Sequence, residues 1–484
     1  MKSLESTIAN SVWSYFSTIC SIPHPSKHEE MLVKWIKNWA NEKNIQCKQD
    51  EIGNLILTKP ASAGFENKTP VILQAHLDMV PQKNNDSDHD FTKDPIKTII
   101  KGEWLHADNT TLGADNGLGM ASCLAVLGDN SLQHGPIEVL LTTDEETGMT
   151  GAFGLKAGTL KGKILINTDS EQEGELYVGC AGGVNVNIQL PFEKMEADPD
   201  SVAFQVDLTG LKGGHSGCDI NLGRANAVKV LASVLNNLEA IPFQVSAFKG
   251  GSLRNAIPRE AHAVIVCAKE YQNSLEVLIT NLQINLTEQF KESEANLQLN
   301  ITPCSLPTSI LIPDSQHALL NSLHHCENGI FSMEEKFAGV VQTSSNLGVI
   351  TQDSDTNHFN IRVLVRSQRE DEKHSLSTSI TQHFESVGAK VRADGEYPGW
   401  TPNADSPIYK IMENEYEKLF SEKPKTMVIH AGLECGLFSK NYPEWDMISF
   451  GPTINFPHSP DEKAHIASVD KYWLLLVATL KAID

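Results

Sequence analysis

The sequence predicts an α/β protein with a mixed sheet flanked by helices, interrupted by an inserted α+β domain that acts as a lid. Three observations lead there. Over residues 1–185 helical and strand-like periods alternate, and the strand runs VILQA, IEVLLTT and KILIN are almost wholly apolar, as in a sheet covered on both faces. From about residue 186 the runs VNVNIQL and VAFQVDL alternate apolar and polar residues, which suits strands with one wet face. After residue 394 the first texture returns. The chain therefore divides into 1–185, 186–394 and 395–484, with the outer two parts forming one discontinuous domain.

Taken in order, Leu4, Ile8, Val12, Phe16 and Ile19 repeat at helical spacing. Ser26 and Glu29 have capping-box spacing before a helix that puts Leu32, Trp35, Ile36 and Trp39 on one face. Strands around EIGNLILT and VILQA follow, then a helix from about Gly117 to Leu127, then IEVLLTT, a glycine-rich turn and KILIN. The insert reads as helices at Ala225–Leu238, LEVLITNLQINL and Glu370–Phe384, with strands near AHAVIVCA, LGVI, FNIRVLV and AKVRA. Beyond Tyr397-Pro398-Gly399-Trp400 come a strand at MVIH, a helix opening at AGLECGLF and a strand at MISF.

The chain has 484 residues, of which 40 % are hydrophobic and 21 % charged, an ordinary globular composition. A net charge of −22 argues against a nucleic-acid partner or an anionic membrane surface. Nine scattered cysteines without a CxxC pair suit reduced thiols, and no apolar run is long enough to span a bilayer, so a cytoplasmic protein is expected.

Five potential metal ligands stand where a strand-like run gives way to a loop or next to a glycine-rich turn: His76, Asp115, Glu146, Asp169 and His458. In an open α/β sheet, ligands gather at the carboxyl ends of the strands. Carboxylates and imidazoles together suit zinc or a similar divalent ion. His76 and Asp78 form an H-x-D pair in which the carboxylate can hold the second ring nitrogen of the ligand. Asp115 lies among Gly113, Gly117 and Gly119, whose backbone freedom could aim one carboxylate at two metals. His76 and Asp169 would complete one metal site, Glu146 and His458 the other. The adjacent Glu145 and Glu146 repel unless a cation or a shared proton intervenes, so a metal would take one and leave the other as a base. GLGMAS lacks the last glycine of a dinucleotide fingerprint and does not directly follow a strand. In the insert, His215 sits in a glycine-rich loop, Asn255 in a turn, and Arg362 and Arg366 share one face of a strand, where a guanidinium could clamp a carboxylate.

The segments ILQAHLDMVPQKN, LGADNGLG, TTDEETGMTGA, NTDSEQEGELYVGCAGG, LKGGHSGCDI, LRNAIPRE, HAGLECG and SFGPTINFPHSPDE resemble, in order, those of the non-specific (aminoacyl-histidine) dipeptidases, a group of di-zinc metallopeptidases related to carboxypeptidase G and aminoacylase. The resemblance implies hydrolysis of dipeptides of broad specificity, including Xaa-His. It implies two Zn2+ per chain, with Co2+ or Mn2+ as substitutes, held by His76, Asp115, Glu146, Asp169 and His458, with Asp115 bridging. It further implies Asp78 as the residue orienting His76, Glu145 as general base, and His215, Asn255, Arg366 and Gly432 as substrate contacts. A cis peptide between Asp115 and Asn116 belongs to the same expectation. The expected partner is a small peptide substrate, and a homodimer is compatible with the resemblance. The rival activities are an N-acyl amino acid amidohydrolase or a tripeptide aminopeptidase of the same fold, and a metal-binding scaffold that has lost catalysis.

Overall fold

The structure is a computed structural model that describes residues 4, 6–238 and 241–484. It separates into two compact units. The first comprises Met1–Cys180, Trp400–Val428 and Leu433–Asp484, and the second Ala181–Gly399 with Ile429–Gly432.

Among the described residues the first unit is organised around an eight-stranded sheet. At its centre Ile137–Thr142, Val71–His76, Ile164–Asn167 and Asp446–Ser449 lie side by side and parallel. Leu55–Lys59 and Glu175–Cys180 flank them antiparallel, which makes the sheet mixed. Val71–His76 and Ile164–Asn167 are buried at every position, so their apolar runs face helices on both sides. The helices Asn10–Cys20, Ala114–Gly128, Pro407–Phe420 and Ile466–Ala482 contribute to one continuous core with the sheet. Burying a ring such as that of Phe16 stabilises by about 1.5–3 kcal/mol. It packs close to Gly117, where a Cβ would lie 2.9 Å from the ring. Among the described residues no helix is long and apolar enough to cross a membrane.

Two local expectations fail here. The first helix runs from Asn10 to Cys20, and Ile8 is exposed outside it. Ser26 and Glu29 form no capping box. Glu29 itself precedes the helix Glu30–Glu42, and its carboxylate accepts the N–H groups of Lys27 and Asp144 instead. A buried carboxylate that satisfies a distant loop outweighs a local cap.

The second unit is built on a nine-stranded sheet among the described residues, and its strand pairings are antiparallel. Gly182–Pro191, for example, alternates buried and more exposed positions along its length. Helices Ala227–Asn236, Gln272–Gln289, Pro313–His325 and Glu370–Glu385 contribute to the core over this sheet. The limits 186 and 394 expected for the insert fall inside this unit. The strand starts at Gly182, and Lys390–Tyr397 pairs with it as far as Tyr397 opposite Gly183, so the ladder claims the extra residues.

Candidate metal centre

The four parallel strands end together, with His76 level with Thr142 and Asn167 level with Ser449. Each is followed by part of the site. Val71–His76 ends on His76 and continues to Asp78. Ile137–Thr142 leads to a short helix, Glu145–Gly148, that carries both glutamates. Ile164–Asn167 precedes Asp169, and Asp446–Ser449 precedes the segment bearing His458. His458 sits between Ile454–Asn455 and Lys463–His465, which pair antiparallel, and its φ of 58° places it at a tight turn. The fifth residue, Asp115, enters from the start of Ala114–Gly128, where its own backbone is not helical. The peptide bond between Asp115 and Asn116 is cis.

All five candidate ligands converge. The nitrogen Nε2 of His76 lies 3.2 Å from Asp115 Oδ1 and 3.3 Å from Asp169 Oδ1. The nitrogen Nε2 of His458 lies 3.2 Å from Asp115 Oδ2 and 3.0 Å from Glu146 Oε2. His76, Asp115 and Asp169 form one cluster able to hold a cation, and Asp115, Glu146 and His458 another, while His76 also groups with Glu145 and Glu146. The Asp115 carboxylate thus presents one oxygen to each cluster.

Asp78 ties the centre together. It lies 3.4 Å from Nδ1 of His76, whose Nδ1 is also 2.9 Å from the Asp78 carbonyl oxygen. Its two carboxylate oxygens accept the backbone N–H groups of Glu145 at 2.9 Å and Glu146 at 3.2 Å. Burial would raise the Asp78 carboxyl, but the His76 imidazole and these N–H groups bring it down to about 2. One side chain therefore orients both the imidazole and the acidic pair.

The charge pattern fits cations. Contact with Asp115 and Glu146 lifts the His458 imidazole to about 11. Burial alone would depress His76, yet the carboxylates of Asp169, Asp115 and Asp78 hold it well above its usual value. Burial first, then the charges of Asp169, Glu434 and Glu146, keeps the Glu145 carboxyl well above the ordinary range. Excess carboxylates around two imidazoles create a demand for positive charge that a divalent metal meets by displacing protons from the rings. Among the described residues Glu146 Oε1 is buried without a hydrogen-bond partner, as suits an oxygen that would meet a cation.

Several contributors carry no motif of their own. The Glu462 carboxylate accepts the backbone N–H groups of Leu112, Gly113, Ala114 and Asp115, at 2.7, 3.0, 2.8 and 3.2 Å. It fixes the loop that aims Asp115. Glu462→Gln puts an amide –NH2 where two of those donors point. Because each buried donor left unpaired costs about 1–3 kcal/mol, a loss of about 2–6 kcal/mol is expected, read as a lower urea midpoint. Asn116 donates to the Thr168 carbonyl at 2.9 Å and to Asp169, orienting that carboxylate. Gly119 leaves room for this, since a Cβ there would collide with the Asn116 and Thr168 side chains. Beneath the strand ends Gln74 donates to Glu434 at 2.6 Å, Asn167 donates to Gln74 at 2.5 Å, and Ser449 donates to Asn167 at 2.5 Å. Burial and the nearby Asp169 charge push Glu434 up to about 8. Glu462 lies in the segment that the resemblance quoted, yet nothing local distinguishes it from a solvated acid.

The remaining candidates lie in the second unit. His215 pairs with Ala256 opposite, and the N–H of Ser216 donates to the Asn255 carbonyl at 2.8 Å, so Asn255 stands beside the histidine loop. Gly432 lies in the short loop before Glu434–Asn441. The same loop brings the His430 carbonyl against Gly217, where a Cβ would collide with it. Arg366 is buried and approaches His215 Nε2 at 3.5 Å, whereas Arg362 on the same strand is exposed. Burial and the Arg366 charge press His215 down to about 4, so it is neutral at pH 7. Its Nδ1 accepts the N–H groups of Gly217 at 3.3 Å and Cys218 at 3.0 Å, which leaves the ring proton on Nε2.

Comparison with known proteins places the chain in a family. The sequence model described as peptidase family M20/M25/M40 matches residues 72–482. The cytosol non-specific dipeptidase of Escherichia coli (strain K12) is 48 % identical over 484 residues, covering 100 % of this chain and 99 % of that protein. The crystal structure of aminoacylhistidine dipeptidase from Vibrio alginolyticus aligns with a TM-score of 0.92 at 47 % identity, covering 99 % of this chain and 98 % of that one. Aminopeptidase PepT from Bacillus cereus shares the fold, with a TM-score of 0.58 at 16 % identity over 98 % of each chain.

Proposed function

The chain belongs to peptidase family M20/M25/M40, and from that premise we propose that it is a metal-dependent dipeptidase of broad specificity, acting on Xaa-His among other dipeptides. The observation that carries the reading is the bridging posture of Asp115, one oxygen toward His76 and the other toward His458, beside a Glu145 that forms no ion pair with either imidazole among the described residues, although it lies within 4.8 Å of His76. The names of the E. coli and Vibrio relatives support the substrate class.

In this reading His76, Asp115 and Asp169 hold one metal, and Asp115, Glu146 and His458 the other. Two ions suit this donor set, with zinc as the natural occupant and Co2+ or Mn2+ as substitutes. When bound, a metal pair polarises the substrate carbonyl and lowers the pKa of water. Glu145 removes the proton from the attacking water. It then passes that proton to the departing amine. Asp78 holds the Glu145 backbone and the His76 ring in place throughout. His215 offers an Nε2–H to the developing oxyanion, Arg366 reads the free carboxylate, and Asn255 and Gly432 complete the substrate contacts. The cytosol in the name of the E. coli relative and the nine free cysteines support a cytoplasmic location.

A panel of dipeptides, one tripeptide and one N-acyl amino acid, assayed with metal-reconstituted protein, tests the reading. Turnover confined largely to dipeptides is expected. Preference for the tripeptide or the N-acyl amino acid would replace it with one of the rival activities, and no turnover of any would leave the scaffold reading. Arg366→Lys keeps the charge but loses the planar fork. It is expected to lower kcat/KM for free dipeptides by about 10- to 100-fold, and much less for C-terminally amidated ones, which the wild type is itself expected to cleave poorly. Equal losses on both would mean that Arg366 does not read the carboxylate.

A further inference from the structure

Arg366 is 5 % exposed, and among the described residues its side-chain hydrogen-bond partners are all neutral. Nε approaches Ser216 Oγ at 3.5 Å, Nη1 donates to Tyr397 Oη at 3.0 Å, and Nη2 lies 3.5 Å from His215 Nε2. Since that ring nitrogen carries the proton, the last contact sets two donors face to face. A buried guanidinium without an anion is expensive to keep, and two donors aimed at one point ask for an acceptor oxygen between them.

Tyr397 adds a third donor to the same place. Its oxygen accepts from Arg366, so its own hydrogen is left to donate, and among the described residues that hydrogen has no acceptor. The ring is held from two sides. The backbone carbonyl of Tyr397 accepts Nζ of Lys373 at 2.8 Å. That lysine is fully buried and is itself fixed by the Glu370 carboxylate at 2.9 and 2.8 Å. On the other side Tyr397 pairs with Gly183, where a Cβ would lie 2.7 Å from the ring carbon Cζ and from Oη. The glycine gives the phenol the space beside the strand.

We propose that Tyr397 is a specificity-determining residue that reads the substrate carboxylate together with Arg366: its oxygen fixes the guanidinium while its hydroxyl hydrogen bonds to a carboxylate oxygen. The proposal rests on the reading that the second unit receives the free carboxylate of a dipeptide. It gives the orphaned guanidinium its anion and the phenol its acceptor.

Tyr397→Phe removes one oxygen and keeps the ring against Gly183. The test measures calorimetric binding of a dipeptide analogue with a reduced peptide bond, as free carboxylate and as C-terminal amide, to wild type and Y397F. Turnover of the matching dipeptides is measured in parallel, and an unchanged melting curve checks the fold. Y397F is expected to weaken the carboxylate form by about 10- to 100-fold and the amide form by less than about threefold, the loss of one hydrogen bond to a charged group. KM for free dipeptides should rise by a similar factor. Equal weakening of both forms, or no change in either, overturns the role of Tyr397 even if the wild type cleaves dipeptides well. Selective weakening in a protein that cleaves no dipeptide supports the role of Tyr397 and overturns the dipeptidase reading instead. A wild type that binds both forms equally overturns the role of Tyr397, while turnover alone decides the dipeptidase reading.

Discussion

Glu145→Ala is expected to leave the metal content and the fold intact while lowering turnover by about 10²- to 10⁴-fold, the usual contribution of a positioned general base. The reason lies in the way the acidic pair is divided. Glu146 Oε2 faces His458 at 3.0 Å and its other oxygen is buried without a partner, which is the posture of a ligand. Glu145 has its backbone held by Asp78, and among the described residues its carboxylate forms no ion pair with either imidazole, although it lies within 4.8 Å of His76. Glu146→Ala is therefore expected to lose one metal, and Glu145→Ala none. Elemental analysis of the dialysed variants, with rates on one dipeptide, separates the two roles. Equal metal loss would show that the pair has been divided wrongly. Glu145→Asp, which keeps the acid but withdraws it by one methylene, should recover part of the rate without changing metal content.

Asp115→Ala is expected to lose both metals, and with them all measurable turnover, because its two oxygens serve different clusters. His458→Ala should lose only the metal it shares with Glu146. The contrast matters because a bridging ligand and a terminal one are distinguished by stoichiometry, not by the size of the rate loss. Metal titration of each apoprotein reads it directly. An Asp115→Ala protein that retained one tightly bound ion would assign the bridge elsewhere.

Much of the strand pattern and the candidate donors are legible in the sequence by itself. The apolar runs of VILQA and KILIN specify strands buried on both faces, and both are fully buried in the structure. The placement of His76, Glu146, Asp169 and His458 beyond strand-like runs was legible because strand period and residue chemistry are local properties of a chain. What stayed illegible depends on partners distant along the chain. Glu462 reads as one more surface acid until the fold brings it to four N–H groups on the Asp115 loop, about 350 residues earlier. Glu29 looks like half of a helix cap, yet the fold spends it on Asp144. Tyr397 looked like a domain boundary, and its meaning arises only when Lys390–Tyr397 pairs with Gly182–Pro191.

The limits of the insert show the same division. Composition changes gradually along the chain, whereas a ladder ends at its last hydrogen-bonded pair, so the tertiary structure and not the texture assigns Gly182, Gly183 and Tyr397 to the second unit. Which groups are ligands in kind follows from side-chain chemistry, and the sequence supplies that. Which oxygen faces which imbalance of charge, and which carboxylate is held by backbone donors, follows from distances of a few ångströms between residues as much as 350 positions apart. Coulomb and hydrogen-bond energies fall steeply over such distances, and only the folded chain fixes them.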